Sequence, residues 1–410
     1  MTSKSLAGAI VAFLVFAASC PVFAGELPRG RFSERNHAVL ERLILENGRL
    51  SPTYDARKRP YVVCDWDNTS AFGDVQETLG YYMLENLLYS LSVSEFRRAV
   101  SLNVPRGPSK MPNRFGQPIV FDDLIEDLVE NYAWLYKNYR GLAGDQGIEE
   151  IRRSEVYKDF GAKLFVMFDA LYLTAGAALA SQWQGQLMSG MTRDRLEALS
   201  DASVKKNLGD ALRKVTLAGS DKLERRSKGV FAPDLFLGLR IYPDMGNLYQ
   251  ALMQNGIDVY ILSASPEDIV VPIANKKEYG YGVPRENIFG AMYAESKGLL
   301  DAALSPDRKM SWGPGKVDLI RKKLIAAKGY PPILVCGDSD GDYDMLSEFP
   351  EMKLGLIIDR RGKGKLTRLY EQARQEVHDA RPRYILQGID ENTGLFNADA
   401  ETVKFGVAGK

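Results

Sequence analysis

The chain has 410 residues, room for about two to four domains. Its hydrophobic fraction of 45% and charged fraction of 26% supply a sizeable core and exclude wholesale disorder. Lys+Arg and Asp+Glu are both 53, so the balanced charge gives no global drive toward nucleic acid or anionic membrane, while three cysteines and two histidines (His37 and His378) exclude a disulfide scaffold, a zinc ribbon and a histidine-built metal cage.

Residues 6–18, LAGAIVAFLVFAA, form an apolar stretch behind Lys4. The stretch is short of the roughly 20 residues that span a bilayer and fits the apolar region of a signal peptide. Val22-Phe23-Ala24 then predicts cleavage before Gly25, leaving no transmembrane segment and placing the chain in the periplasm or outside the cell. A weaker alternative uses Ala17-Ala18-Ser19-Cys20 as a lipid-anchoring site through Cys20. The remaining cysteines, Cys64 and Cys336, each end an apolar run and read as small buried residues.

A lead-in helix is predicted over 33–48, capped by Ser33 and ended by Gly48. Tyr61–Cys64 reads as a short buried strand. A long stretch, 76–240, then carries helical periodicity, as in Leu124, Ile125, Leu128, Val129, Tyr132, Leu135, Tyr136 and Tyr139. Strands at 259–262, 333–336 and 354–358 alternate with helices at 244–254 and 317–328. Ser265-Pro266-Glu267-Asp268 reads as a capped helix start. The pattern predicts an α/β fold: a Rossmann-like parallel sheet with helices on both faces, interrupted by an inserted, mainly helical cap. The expected division is a signal peptide at 1–24, a helical lead-in at 25–60, a core at 61–75 and 241–375, a cap at 76–240 and a C-terminal extension at 376–410. The basic run Arg360–Lys365 reads as a solvated loop.

In open α/β sheets ligands lie beyond the C-terminal ends of the strands. The first strand ends in Asp65-Trp66-Asp67-Asn68-Thr69, two carboxylates at i and i+2. One such carboxylate can attack while the other handles protons. The second strand ends in Ser263, a hydroxyl donor. Gly313-Pro314-Gly315-Lys316 sets a lysine at a helix start, where phosphate is well received. Gly337-Asp338-Ser339-Asp340-Gly341-Asp342 is an acidic loop whose oxygen donors, with no histidine nearby, suit Mg²⁺. Tyr343 and Phe349 stand where a calcium-binding EF-hand needs Gly and Glu.

The ordered set DWDNT, ILSAS, GPGK and GDSDGD resembles the haloacid dehalogenase superfamily of phosphatases, and the placement of the insert is similar to that family's C1-type helical cap. The likeness covers roughly 61–75 and 241–360. Helical-cap members of this kind act on phosphoserine or, when secreted, on phosphocholine, and the SAS-PED phrasing after the second strand, the GPGK loop and the signal peptide lean toward the secreted group. The resemblance implies Asp65 as the nucleophile that forms an aspartyl-phosphate and Asp67 as the acid and base. It implies phosphate contacts from Thr69, Ser263 and Lys316, with Thr69 also fixing Asp67. Mg²⁺ is expected on Asp65, Asp338, the Asp67 carbonyl and Asp342. Gly341 departs from the Asn or Asp of many relatives, which weakens the case for Asp342 relative to Asp338. Asp74 and Glu77 are the expected partners of a cationic substrate head, although either can instead serve the following helix. The cap aromatics Tyr132, Trp134, Tyr136 and Tyr139, at helical spacing, read as core rather than cage. The resulting expectation is a secreted, Mg²⁺-dependent phosphatase for a small phosphomonoester. Alternatives are a phosphotransferase or mutase on the same core, and a non-catalytic metal- or phosphate-binding module.

Overall fold

The computed structural model describes residues 25–308, 310–399 and 401–407. The expected signal peptide and Cys20 lie outside the described residues. No helix among the described residues is long and apolar enough to cross a membrane.

Helix α1 (Glu34–Asn47) starts as expected, with the Ser33 side chain accepting from the Asn36 amide. Strand β1 (Tyr61–Cys64) is wholly buried. Its alternation splits it between two cores: Val62 and Cys64 face one cluster, Tyr61 and Val63 the other. After β2 (Ala71–Phe72) the chain enters the cap. It runs through α2 (Val75–Asn86), α3 (Val93–Ser101), β3 (Pro108–Pro112), β4 (Pro118–Val120), α4 (Phe121–Asn138), α5 (Ile148–Arg153), α6 (Glu155–Ala175), α7 (Ala177–Gln186), α8 (Arg193–Gly209), β5 (Arg213–Thr216) and β6 (Asp234–Leu237). Strand β7 (Arg240–Ile241) then pairs antiparallel with β2, closing a stem where the chain leaves the core and returns. Tyr132 is buried and stacked on Phe96 at 4.0 Å between ring centroids, so the periodic aromatics do build the cap's own core.

The core resumes with α9 (Pro243–Gln254), β8 (Asp258–Pro266), α10 (Glu267–Ala274), β9 (Ile288–Ala291) and a hairpin of β10 (Tyr293–Ser296) and β11 (Leu299–Leu304). Next come α11 (Pro314–Leu319), a π-helical turn, α12 (Ala326–Lys328), β12 (Leu334–Gly337), α13 (Tyr343–Ser347), β13 (Leu354–Asp359), α14 (Thr367–Gln375), β14 (Tyr384–Asp390) and β15 (Leu395–Phe396). The main sheet has the order β15-β14-β13-β12-β1-β8-β9, parallel except for β15. Strand β1 therefore lies between β12 and β8, and the loops after all three open on one edge.

Three expectations need correction, and one element was not foreseen. Residues 376–410 are not an extension, because β14 and β15 complete the main sheet. Gln387 and Gly388 broke the apolar run that would have announced β14. Gln387 is buried all the same, donating to the Asn397 carbonyl at 2.9 Å and accepting from Asn36 at 3.1 Å. The lead-in belongs to the core as well, since Asn36 on α1 donates to the Leu386 carbonyl at 2.6 Å. Ser265 caps no helix: β8 continues through Pro266, paired there with Ala291, and α10 begins at Glu267. Strand pairing overrode the local capping signal, and Asp268 instead pairs with Arg193 of the cap at 2.8 Å. The unforeseen β10–β11 hairpin leans on the cap through reciprocal backbone bonds, Gly190 to Leu300 and Leu300 to Met191.

Candidate active site

The four loops converge on a cavity of about 250 Å³ between sheet edge and cap. Asp65, Asp67, Ser265, Lys316, Asp338 and Arg360 line it from the core. Phe168, Tyr172, Ala177 and Ser181 line it from α6 and α7.

Asp65 leaves β1 with its amide bonded to the Cys336 carbonyl on β12 at 3.0 Å, which fixes the two loops against each other. The chain then turns sharply. Asn68 adopts a left-handed φ of 60°, which asparagine tolerates better than most residues, and closes the loop through Gly73. This turn brings Asp67 beside β8, where its carboxylate accepts from Ser265 at 2.7 Å, from Ser263 at 3.3 Å and from the Val75 amide at 2.8 Å. Burial, helped by the neighbouring Asp74, pushes the Asp67 carboxyl up to about 8. It is thus protonated at neutral pH and able to give a proton.

Lys316 is buried and bonded to both Asp65 and Asp342, the latter at 2.6 Å. Burial pulls its pKa down, but Asp342 and Asp65 outweigh this and raise it, so it stays charged. Asp342 also accepts from the Asp338 and Ser339 amides at 3.0 and 3.1 Å and from the Ser339 hydroxyl at 3.2 Å. Gly341 has its own reason to be glycine. A Cβ there would fall 2.7 Å from the Trp312 indole nitrogen, so glycine lets that ring lie across the acidic loop. Trp312 thereby becomes part of the cavity wall.

Asp65, Asp338 and Asp342 each offer an oxygen, all within 4.8 Å of one another, and all three are buried. Burial raises Asp65 well above the carboxylate range, with Asp342 and Asp338 adding to the effect. Burial also pushes Asp338 up to about 6 against the pull of Arg360. A buried, all-oxygen set strained by its own charge fits a hard divalent cation such as Mg²⁺.

The structure places the remaining expected residues differently. Thr69 is fully buried and off the cavity wall, with its hydroxyl 3.2 Å from Asp65 and 3.0 Å from Asp338. It braces the loop after β1 against the acidic loop and makes no bond to Asp67. Ser263 is also fully buried, accepting from the Ser265 amide at 3.0 Å, so Ser265 is the hydroxyl on the cavity wall. Asp74 caps α2, accepting from the Gln76 and Glu77 amides at 2.8 Å each, and still lines the cavity. Glu77 lies one turn further on, off the wall, and burial, with Asp74 and Asp169 adding to it, pushes it up to about 8.

Arg360 was missed by treating its basic run as a loop. Residues 361–365 are exposed, but Arg360 is half-buried, sits 3.2 Å from Asp338 and has an Nε atom that is buried without a partner. The signal was available, since Arg360 directly follows β13 and so obeys the same strand-end rule as Asp65 and Asp338.

Paired aspartates, a buried lysine and an acidic loop thus meet at one edge of a parallel sheet, beneath the helical insert. A family model described as haloacid dehalogenase-like hydrolase matches residues 161–347. Among curated proteins, the chain is 30% identical over 207 residues to the phosphorylcholine phosphatase of Pseudomonas aeruginosa. That match covers 44% of this chain and 55% of the relative, so the chain spans about half the length of the curated relative it matches. Among solved structures, a functionally unknown protein from Anaerococcus prevotii DSM 20548 is similar over 93% of this chain and 100% of that one, with 28% identity and a TM-score of 0.85.

Proposed function

We propose that the chain is an exported, Mg²⁺-dependent phosphatase that hydrolyses a small phosphomonoester with a cationic head, phosphocholine first among them. The observation that carries this reading is the pairing of Asp65, held by Lys316, with the proton-bearing Asp67 inside one small cavity. The aromatic surround of Trp312, Phe168 and Tyr172, with Asp74 beside it, suits a quaternary ammonium. The likeness to a phosphorylcholine phosphatase supports the same substrate.

In this reading the Asp65 carboxylate attacks phosphorus and the ester oxygen leaves, producing an aspartyl-phosphate. Asp67 gives its proton to the departing alkoxide. It then takes a proton from the water that hydrolyses the intermediate. Lys316 balances the phosphoryl oxygens, and Ser265, with Ser263 behind it, orients Asp67. Asp65, Asp338, Asp342 and the Asp67 carbonyl would hold Mg²⁺, which offsets the repulsion between carboxylate and phosphate dianion.

The test is a screen of phosphomonoesters with Mg²⁺ and with chelator, alongside Asp65→Asn. The expected result is metal-dependent release of phosphate, fastest from phosphocholine, and loss of turnover and of covalent phosphoenzyme in the variant. Full activity in chelator would remove the metal, and appreciable turnover by Asp65→Asn would remove the covalent mechanism. Preference for phosphoserine would instead point to Arg360 as the partner of a substrate carboxylate.

A further inference from the structure

Cys64 and Cys336 take no part in the reaction above, and their placement calls for its own account. They are register partners on the adjacent parallel strands β1 and β12. Neighbouring strands run about 4.8 Å apart. That spacing falls within the roughly 4.4–6.8 Å between Cα atoms that a disulfide spans. Both side chains enter the same buried cluster, and their sulfur atoms are 2.6 Å apart. A bonded pair needs about 2.05 Å, so only about 0.5 Å of approach remains.

We propose that Cys64 and Cys336 are a redox modification site: a cross-strand disulfide that ties together the strands carrying Asp65 and Asp338. One thiolate attacks a small-molecule or dithiol-enzyme disulfide and displaces its first thiol. The other thiolate attacks the resulting mixed disulfide and releases the second. The protein pair loses two electrons and two protons, and both are carried away on the two released thiols.

Timing follows from burial. Both cysteines are fully buried, so an external disulfide cannot reach them in the closed sheet and exchange there is blocked. The bond therefore forms while the sheet assembles. It closes a long loop, with 272 residues of sequence separation, which strongly restricts the unfolded chain. It also pins the point at which the Asp65 amide already bonds the Cys336 carbonyl.

The test is independent of export and of the reaction. The full chain is made by cell-free synthesis in a glutathione disulfide buffer and, separately, in dithiothreitol. Each product is denatured with an alkylating reagent and no added reductant, then mapped by peptide mass spectrometry. The expected result is a linked peptide joining positions 64 and 336 in the oxidised product, and alkylation at both in the reduced one. The oxidised product should also melt a few degrees higher, a difference absent from Cys64→Ser/Cys336→Ser. Alkylation at both positions in folded, oxidised protein, or linkage of either one to Cys20 or to another molecule, would overturn the proposal. The peptide map uses the unaltered chain, so the outcome stands even where the double variant fails to fold.

Discussion

The core wall and the cap wall of the cavity are held in different ways. On the core side Asp65, Lys316 and Asp338 are nine-tenths or more buried, and each is held by ionic partners on the core: Lys316 by Asp65 and by Asp342 behind the wall, Asp338 by Arg360. They issue from parallel strands fixed in register, so their positions follow from the sheet. On the cap side the residues come from helix surfaces, and Tyr172 is 52% exposed. The cap-side four, Phe168, Tyr172, Ala177 and Ser181, carry no charged side chain. A wall built from strand ends can hold a fixed charge geometry, as phosphoryl transfer needs. A wall built from helix faces can change its side chains at little cost to the fold, as selection of a leaving group needs.

That division can be broken by experiment. The largest expected effect is from Lys316→Ala, which should lower kcat/KM about a hundredfold for phosphocholine and for an uncharged aryl phosphate alike. Because it leaves Asp65 and Asp342 buried without their cation, a thermal scan should also show clear destabilisation. An effect confined to one substrate would mean that the core wall contributes to selectivity.

Asp74→Asn comes next. Asparagine caps a helix about as well as aspartate, so α2 should persist while the charge is lost. Steady-state kinetics should show KM for phosphocholine rising about tenfold, roughly 1.4 kcal/mol, with the aryl phosphate nearly unchanged. Tyr172→Ala should act in the same direction by about two- to fivefold, the scale of a cation–aromatic contact at an exposed site. If both variants kept the two substrates in their original ratio, the head group would be read elsewhere.

The smallest expected effect is a pH dependence set by Glu77. Its carboxyl is raised to about 8, so it is neutral below that pH and ionised above it. The ionised form attracts a cation, so KM for phosphocholine relative to the aryl phosphate should fall as pH rises through about 8. Glu77→Gln should flatten that ratio. A ratio that rises with pH would exclude Glu77 from the recognition of the head.

That the loops after the core strands meet was legible in the sequence because their signals are local. DWDNT, GPGK and GDSDGD each follow an apolar strand or open a helix, and such junctions survive folding with few alternatives. The helical cap was legible as well, from the 3.6-residue period of its aromatics and leucines. Tertiary structure decided what required knowing which segments become neighbours. Sheet order brings Arg360 beside Asp338, and the β8–β9 register makes Ser265 a strand residue beside Asp67 instead of a helix cap. The pairing of β14 with β13 drew the apparent extension into the sheet. Trp312 reached the cavity because Gly341 leaves room for its ring, a condition set across 29 residues of chain and visible in neither segment alone. Local spacing fixes backbone direction and side-chain face over a few residues. Which faces then meet depends on burying two apolar cores at once, and that is a property of the whole chain.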